Sequence, residues 1–93
     1  MTVKVISKFT KKDSSTGSYT NSDIDSKIES YFKDGKITQK PVKKVDGLVE
    51  TYTTIFKDAE SLNKFRKNFH LEEDREKWLK DNNVSFEIEY VEE

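Results

Sequence analysis

The chain has 93 residues, of which 38% are charged and 32% hydrophobic, and its 17 basic and 18 acidic side chains give a net charge of −1. A chain of this length supports a single domain, 1–93, because a divided core would not offset the entropy lost on folding. The near balance of charge disfavours general nucleic-acid binding, and the lack of cysteine excludes disulfides, thiolate catalysis and cysteine-ligated metals.

The first predicted element is a half-buried strand at the N-terminus. Val3, Val5 and Phe9 alternate with polar residues, and Ile6 falls on the opposite face of this strand. The stretch 11–21 that follows consists mostly of Ser, Thr, Gly, Asp and Lys, with one aromatic residue. We expect 11–21 to be a flexible loop, because it has too few apolar side chains to offset the entropy of ordering it.

The next segment has the periodicity of an amphipathic helix. Ser22 and Asp25 have the spacing of a capping box, which predicts where this helix begins. Its apolar residues recur on one face: Ile24, Ile28, Tyr31 and Phe32. We expect the helix to end near Lys33, because Gly35 is a suitable left-handed stop.

Two strands joined by a tight turn are predicted after this helix. The stretch 36–45 is weakly apolar and contains Pro41, which lacks a backbone donor, so we expect an edge strand. Asp46 and Gly47 form a strong hairpin signal, and we expect a type I′ turn with these two residues at its centre. The second strand of the hairpin is then 48–57.

A helix and a last strand complete the pattern. Asp58 is placed to cap a helix whose apolar face has three residues, Leu62, Phe65 and Phe69. Because the later apolar residues fall on a different side of this helix, we expect a kink near His70, followed by a second helical piece over 72–81. The stretch 84–90 alternates apolar and polar residues, which predicts the last strand.

The predicted order β-α-β-β-α-β matches the ferredoxin-like split βαβ, an α+β fold with a four-stranded antiparallel sheet and its helices on one face. The expected strand order is 4-1-3-2. This order places the last strand beside the first. Glu87 and Glu89 then lie near Lys4 and Lys8, so that opposite charges pair across the two strands.

One face of such a sheet has no helix over it, and this face is the main functional hypothesis. If Leu48, Tyr52 and Phe56 point into the core, the alternate residues of the third strand are open; in the reversed register Tyr52 and Phe56 are open. We expect an apolar patch on this face that binds a protein partner or a second copy of the chain. The predicted interface residues are Ile6, Val49, Thr51, Thr53, Ile55 and Val91.

Two other functions stay open. Dimeric α+β-barrel proteins with this topology include cofactor-free enzymes, so catalysis by His70, the only histidine, is one alternative. Stacking of single-stranded RNA on Tyr52 and Phe56 is the other, although the acidic last strand disfavours it.

The remaining signals are negative. The sequence predicts no metal site and no cofactor, and no apolar run is long enough to span a bilayer, so we expect a cytoplasmic, non-enzymatic binding module. The abundance of Lys, Asn, Asp and Ser fits an A/T-rich coding genome, such as that of a low-GC bacterium or one of its viruses.

Overall fold

The computed structural model describes residues 1–68 and 71–93, which form four strands and three helices. In chain order they are β1 (Val3–Thr10), α1 (Ser22–Lys33), β2 (Ile37–Asp46), β3 (Val49–Phe56), α2 (Ala59–Asn68), α3 (Leu71–Asn82) and β4 (Ser85–Glu92). The strands form one antiparallel sheet in the order β2-β3-β1-β4, so that β1 and β3 are central. These elements confirm the predicted α+β class.

The β2–β3 hairpin turns at Gly47 and Leu48, one residue later than predicted. Asp46 pairs with Val49 across the hairpin, and φ is positive at Gly47 (61°) but not at Leu48. Positive φ at the first central residue alone is the type II′ arrangement, so the expected type I′ turn is wrong. Glycine suits this position because it lacks the Cβ that disfavours positive φ. Leu48 therefore lies in the turn, 38% exposed, and not in the core.

Local contacts and backbone geometry explain where α1 begins and ends and where α2 begins. The Asn21 side chain accepts hydrogen bonds from two backbone N–H groups of the first turn of α1, at 3.0 and 3.2 Å. The helix is therefore capped by Asn21, and the predicted capping box at Ser22 is wrong. Gly35, with φ of 77°, ends α1 as expected. The Asp58 carboxylate accepts from the backbone N–H of Ser61 (2.8 Å), which confirms the predicted cap of α2.

Two helices occupy the stretch between β3 and β4. The predicted kink near His70 lies outside the described residues, between the end of α2 and the start of α3. Asn83, just after α3, has a left-handed φ of 54°, and the next backbone N–H, of Val84, donates to the Leu79 carbonyl (3.0 Å). None of the described helices is both long and apolar enough to cross a bilayer.

The core lies between one face of the sheet and helices α1 and α2. Phe65 of α2 is at its centre, with its ring centroid 5.2 Å from that of Tyr31 and 5.6 Å from that of Phe56. The other buried members of the cluster are Val3, Val5, Ile24, Ile37 and Leu62. Removal of these side chains from water is the main favourable contribution to folding. The burial of Val3, Val5 and Phe9 confirms the predicted register of the first strand.

Candidate functional site

The sheet face that includes Ile6 is the predicted interface, and the strand registers define it residue by residue. Four rows cross it from β4 to β2: Val91, Lys4, Ile55 and Gln39; Glu89, Ile6, Thr53 and Val42; Glu87, Lys8, Thr51 and Lys44; Ser85, Thr10, Val49 and Asp46. We call these residues the open face. It includes all six predicted interface residues, and each of the six is half-buried.

The helices lie over the other face of the sheet, which we call the covered face. Residues of all three helices, including Ile28, Phe65 and Arg75, line a cavity together with residues of the covered face. Tyr52 and Phe56 are among the lining residues, so they point toward the helices. The third strand therefore has the register in which Tyr52 and Phe56 point toward the helices. The alternate residues of this strand, Val49, Thr51, Thr53 and Ile55, lie on the open face.

Charge is distributed unevenly over the open face. The β4 edge is acidic, whereas β1 and β2 contribute lysines. Glu87 lies directly opposite Lys8, and the Lys4 Nζ is 2.9 Å from the Glu93 Oε1. Glu87 therefore lies opposite Lys8 as expected, whereas Glu89 lies opposite Ile6 and the partner of Lys4 is a residue just after β4. Exposed pairs of this kind contribute less than about 1 kcal/mol each, so their main effect is to set the charge pattern of the surface.

The described strands place no aromatic residue on the open face. Tyr52 and Phe56, the two candidates for stacking on RNA bases, point to the covered face, and Phe56 is only 4% exposed. Recognition of RNA by a sheet depends on aromatic side chains exposed on its central strands. The RNA alternative therefore lacks the residues on which it was based.

A cavity of about 190 Å³ lies between the covered face and the helices. Its floor includes Ser7 of β1 and Thr54 of β3, which are small and lie near the middle of the covered face. The larger neighbours contact the helices: the Phe9 ring packs against Trp78 of α3, and the Phe56 ring packs against α2. Ser7 and Thr54 lie between these contacts, and their side chains are too small to fill the space, which is the cavity.

Five aromatic side chains pack together at the Phe9 end of the covered face and form what we call the aromatic cluster. The ring centroid of Phe9 is 4.9 Å from that of Phe86, 5.7 Å from Tyr52, 6.1 Å from Trp78 and 6.2 Å from Tyr19. Tyr19 and Trp78 are also in contact, with centroids 5.4 Å apart. The cluster connects the loop before α1 to the sheet and to α3.

A buried carboxylate lies beside the aromatic cluster. The Glu50 side chain is 4% exposed and accepts hydrogen bonds from Ser18 Oγ (2.7 Å) and Tyr52 OH (3.1 Å). Lys11 forms an ion pair with its second oxygen, and the Lys43 Nζ is 3.5 Å from the first. Burial alone would raise the pKa of Glu50, but the hydrogen bonds and the Lys11 charge outweigh it and lower the pKa to about 2. Glu50 is therefore ionised at neutral pH.

The end of the 11–21 loop is attached to α3. Tyr19 OH donates a hydrogen bond to Asp74 Oδ2 (2.5 Å), and Asn21 Nδ2 donates to the same oxygen (2.8 Å). Burial and this hydrogen bond raise the pKa of Tyr19 to about 12. The loop has no helix or strand, as expected. Its flexibility stays a prediction, which we now restrict to 12–17. The one aromatic residue in a polar loop was the only sequence signal for this attachment.

The other candidates give no site. His70 lies outside the described residues, and the described part of the chain has no group of three or more His, Asp or Glu side chains able to hold a metal ion. Comparison of the chain with protein-family models, curated proteins and solved structures finds no match. The functional argument therefore depends on the open face and the cavity.

Proposed function

We propose that the chain is a non-enzymatic protein-binding module that acts through its open face, and that its partner is a second copy of the chain. The supporting observation is that the six predicted interface residues lie together on the sheet face opposite the helices. Its apolar members on β1, β3 and β4 are Ile6, Val49, Ile55 and Val91. Apolar groups gathered on an uncovered face commonly mark an interface.

Covering this face would contribute a moderate free energy. At about 25 cal/mol per Å², burial of roughly 200 Å² of apolar surface on each copy contributes about 10 kcal/mol. The loss of translational and rotational freedom on association costs about 4–15 kcal/mol. With the smallest of these costs the net free energy of association is about −6 kcal/mol, which corresponds to a Kd of roughly 40 μM, so we expect self-association at tens of micromolar or above.

Charge distinguishes between the two simplest ways of stacking two open faces. A two-fold axis perpendicular to the strands and parallel to the sheets places β4 over β4, which brings Glu87 and Glu89 of both copies together. A two-fold axis parallel to the strands places β4 over β2 instead. Glu87 of one copy then lies over Lys44 of the second copy, because both belong to the third row. Since like charges repel and opposite charges attract, we propose the axis parallel to the strands.

We also propose that the fold is of the ferredoxin-like type. Two observations support this: the strand order read from β4 is 4-1-3-2, and all three helices contribute to the lining of one cavity. With the helices on one face, the other face of the sheet is available for stacking on a second sheet.

The proposal is tested by sedimentation velocity from micromolar to millimolar concentration. The wild type should form dimers. Ile6→Glu should remain monomeric, because an ionised carboxylate at the centre of the open face is costly to desolvate. Val45→Glu is the matched control: Val45 is 58% exposed and lies outside the open face, so this variant should still form dimers.

Circular dichroism decides whether Ile6→Glu is folded. If it is not, Thr53→Arg, which changes the neighbouring position in the same row, replaces it in the same experiment. A wild type that is monomeric at every concentration would overturn the proposal. Dimers of equal stability in the open-face variants and in Val45→Glu would also overturn it, because the contact would then lie elsewhere.

A further inference from the structure

The cavity between the covered face and the helices has the properties of a ligand site that is separate from the open face. We propose that it binds a neutral, apolar molecule with a single ring. The volume of the cavity determines the size of this ligand, and the apolar side chains on its two sides determine the polarity.

The volume fits one ring with a short substituent. An apolar cavity of about 150 Å³ is large enough for benzene, and this cavity has about 190 Å³. Its lining includes Asp25, which is exposed, and Tyr90, which is 40% exposed, so the cavity reaches the protein surface. A ligand of this size therefore has a route into the cavity from solvent.

Apolar side chains lie on both sides of the cavity. Ile24 and Ile28 of α1 and Phe65 of α2 line it from the helices, and Val5 and Ile88 line it from the sheet. A ring between these surfaces gains dispersion contacts on both sides. Transfer of an apolar molecule from water into such a space is favourable.

Polar side chains in the lining are bonded to other parts of the protein. Tyr19 OH and Asn21 Nδ2 donate hydrogen bonds to Asp74, and Tyr52 OH donates one to Glu50. A neutral ligand leaves these hydrogen bonds in place, whereas a ligand with its own polar groups would have to compete with them.

The same holds for Arg66 and Arg75, which also contribute to the lining. Arg66 is 5.2 Å from the ring centroid of Tyr90, Arg75 is 4.1 Å from that of Phe86, and each arginine makes a further interaction within the protein. Their charges are thus already engaged. The site therefore favours a ligand that brings no charge, because an ionised group would lose its hydration on entering the cavity.

The ligand class is tested with three one-ring molecules of similar size: ethylbenzene, benzylammonium and benzoate. In NMR titrations of the wild type, ethylbenzene should show saturable binding. Each ion should bind at least about tenfold more weakly, because transfer of an ionised group from water to an apolar space is unfavourable. Absence of saturable binding by ethylbenzene, or an ion that binds as tightly as ethylbenzene, would overturn the proposal.

The location is tested with a pair of variants and by shift mapping. Ser7→Leu should abolish binding of ethylbenzene because it fills the cavity from the floor, whereas Ser85→Leu, the same change on the open face, should not change the affinity. Shift mapping needs no variant: in the wild type, the amide shifts of Ser7, Thr54 and Ile88 should change most on addition of ethylbenzene. Unchanged binding by folded Ser7→Leu, or shift changes confined to the open face, would contradict the assignment.

Discussion

Replacement of Glu50 by glutamine removes one charge from a buried network and keeps the size of the side chain. Lys11 and Lys43 then lose their anionic partner, and the Lys11 side chain is only 15% exposed. Removal of one partner from a buried ion pair is costly, because the charge of the other partner is then buried without compensation. Ser18 and Tyr52 can still donate to the amide oxygen, so the main effect is the loss of charge.

The pKa of Glu50 gives the size of the effect. Burial raises this pKa, but the hydrogen bonds and the Lys11 charge lower it more, from its usual 4.5 to about 2. At about 1.4 kcal/mol per pKa unit, folding favours the ionised form by about 3 kcal/mol. Because the total stability of a small domain is about 5–15 kcal/mol, Glu50→Gln should remove a large share of it at neutral pH.

The effect depends on pH in a defined direction. The pKa of Glu50 is lower in the folded than in the unfolded chain, so its stabilisation is complete above about pH 5 and is lost as the pH falls toward 2. The difference in unfolding free energy between the wild type and Glu50→Gln should therefore decrease from about 3 kcal/mol at pH 7 to below about 1 kcal/mol at pH 2.

Urea denaturation followed by circular dichroism at several pH values measures this difference. Glu29→Gln is the matched control, because Glu29 also pairs with a lysine, Lys40 at 3.2 Å, but both side chains are about half exposed (47% and 48%). Its effect should stay below about 1 kcal/mol. The explanation is refuted if Glu50→Gln is no less stable than this control at pH 7, or if the difference does not change with pH.

Three further predictions concern the core, the turn and the loop. Phe65→Ala should lower the free energy of unfolding by about 3–5 kcal/mol, because Phe65 is 3% exposed at the centre of the core; urea denaturation measures this loss. Gly47→Ala should cost about 1 kcal/mol because φ is positive there, and an unchanged stability would contradict the type II′ turn. Tyr19→Phe removes the hydrogen bond that lowers the pKa of Asp74, so this pKa should rise in an NMR titration; no rise would show that the contact is absent in solution.

Local patterns predicted most of the elements because side-chain spacing reports burial directly. The alternation in β1 placed Ile6 on the face opposite Val3 and Val5, and antiparallel pairing then determined which residues of β3 and β4 share the face of Ile6. The cap at Asp58 and the stop at Gly35 depend on one or two residues, so they could also be recognised from the sequence.

The cavity and the Glu50 network could not be predicted in this way. Ser18 and Glu50 are 32 residues apart, and Tyr19 and Asp74 are 55 apart, whereas spacing patterns report only contacts within one element. The turn type was missed for a related reason: it depends on where strand pairing stops, at Asp46, and not on which residues favour turns. A glutamate on the covered face of β3 was the one available signal for the network.

The central claim is that the open face binds a second copy with β4 over β2, and mixing two charge variants tests it most directly. Glu87→Lys alone and Lys44→Glu alone should each weaken the dimer, because each places like charges in contact. An equimolar mixture of the two variants should form a heterodimer with an affinity close to that of the wild type, since both contacts are then between opposite charges. Sedimentation velocity of the mixture and of each variant measures this, and a mixture that associates no more tightly than its components would contradict the claim.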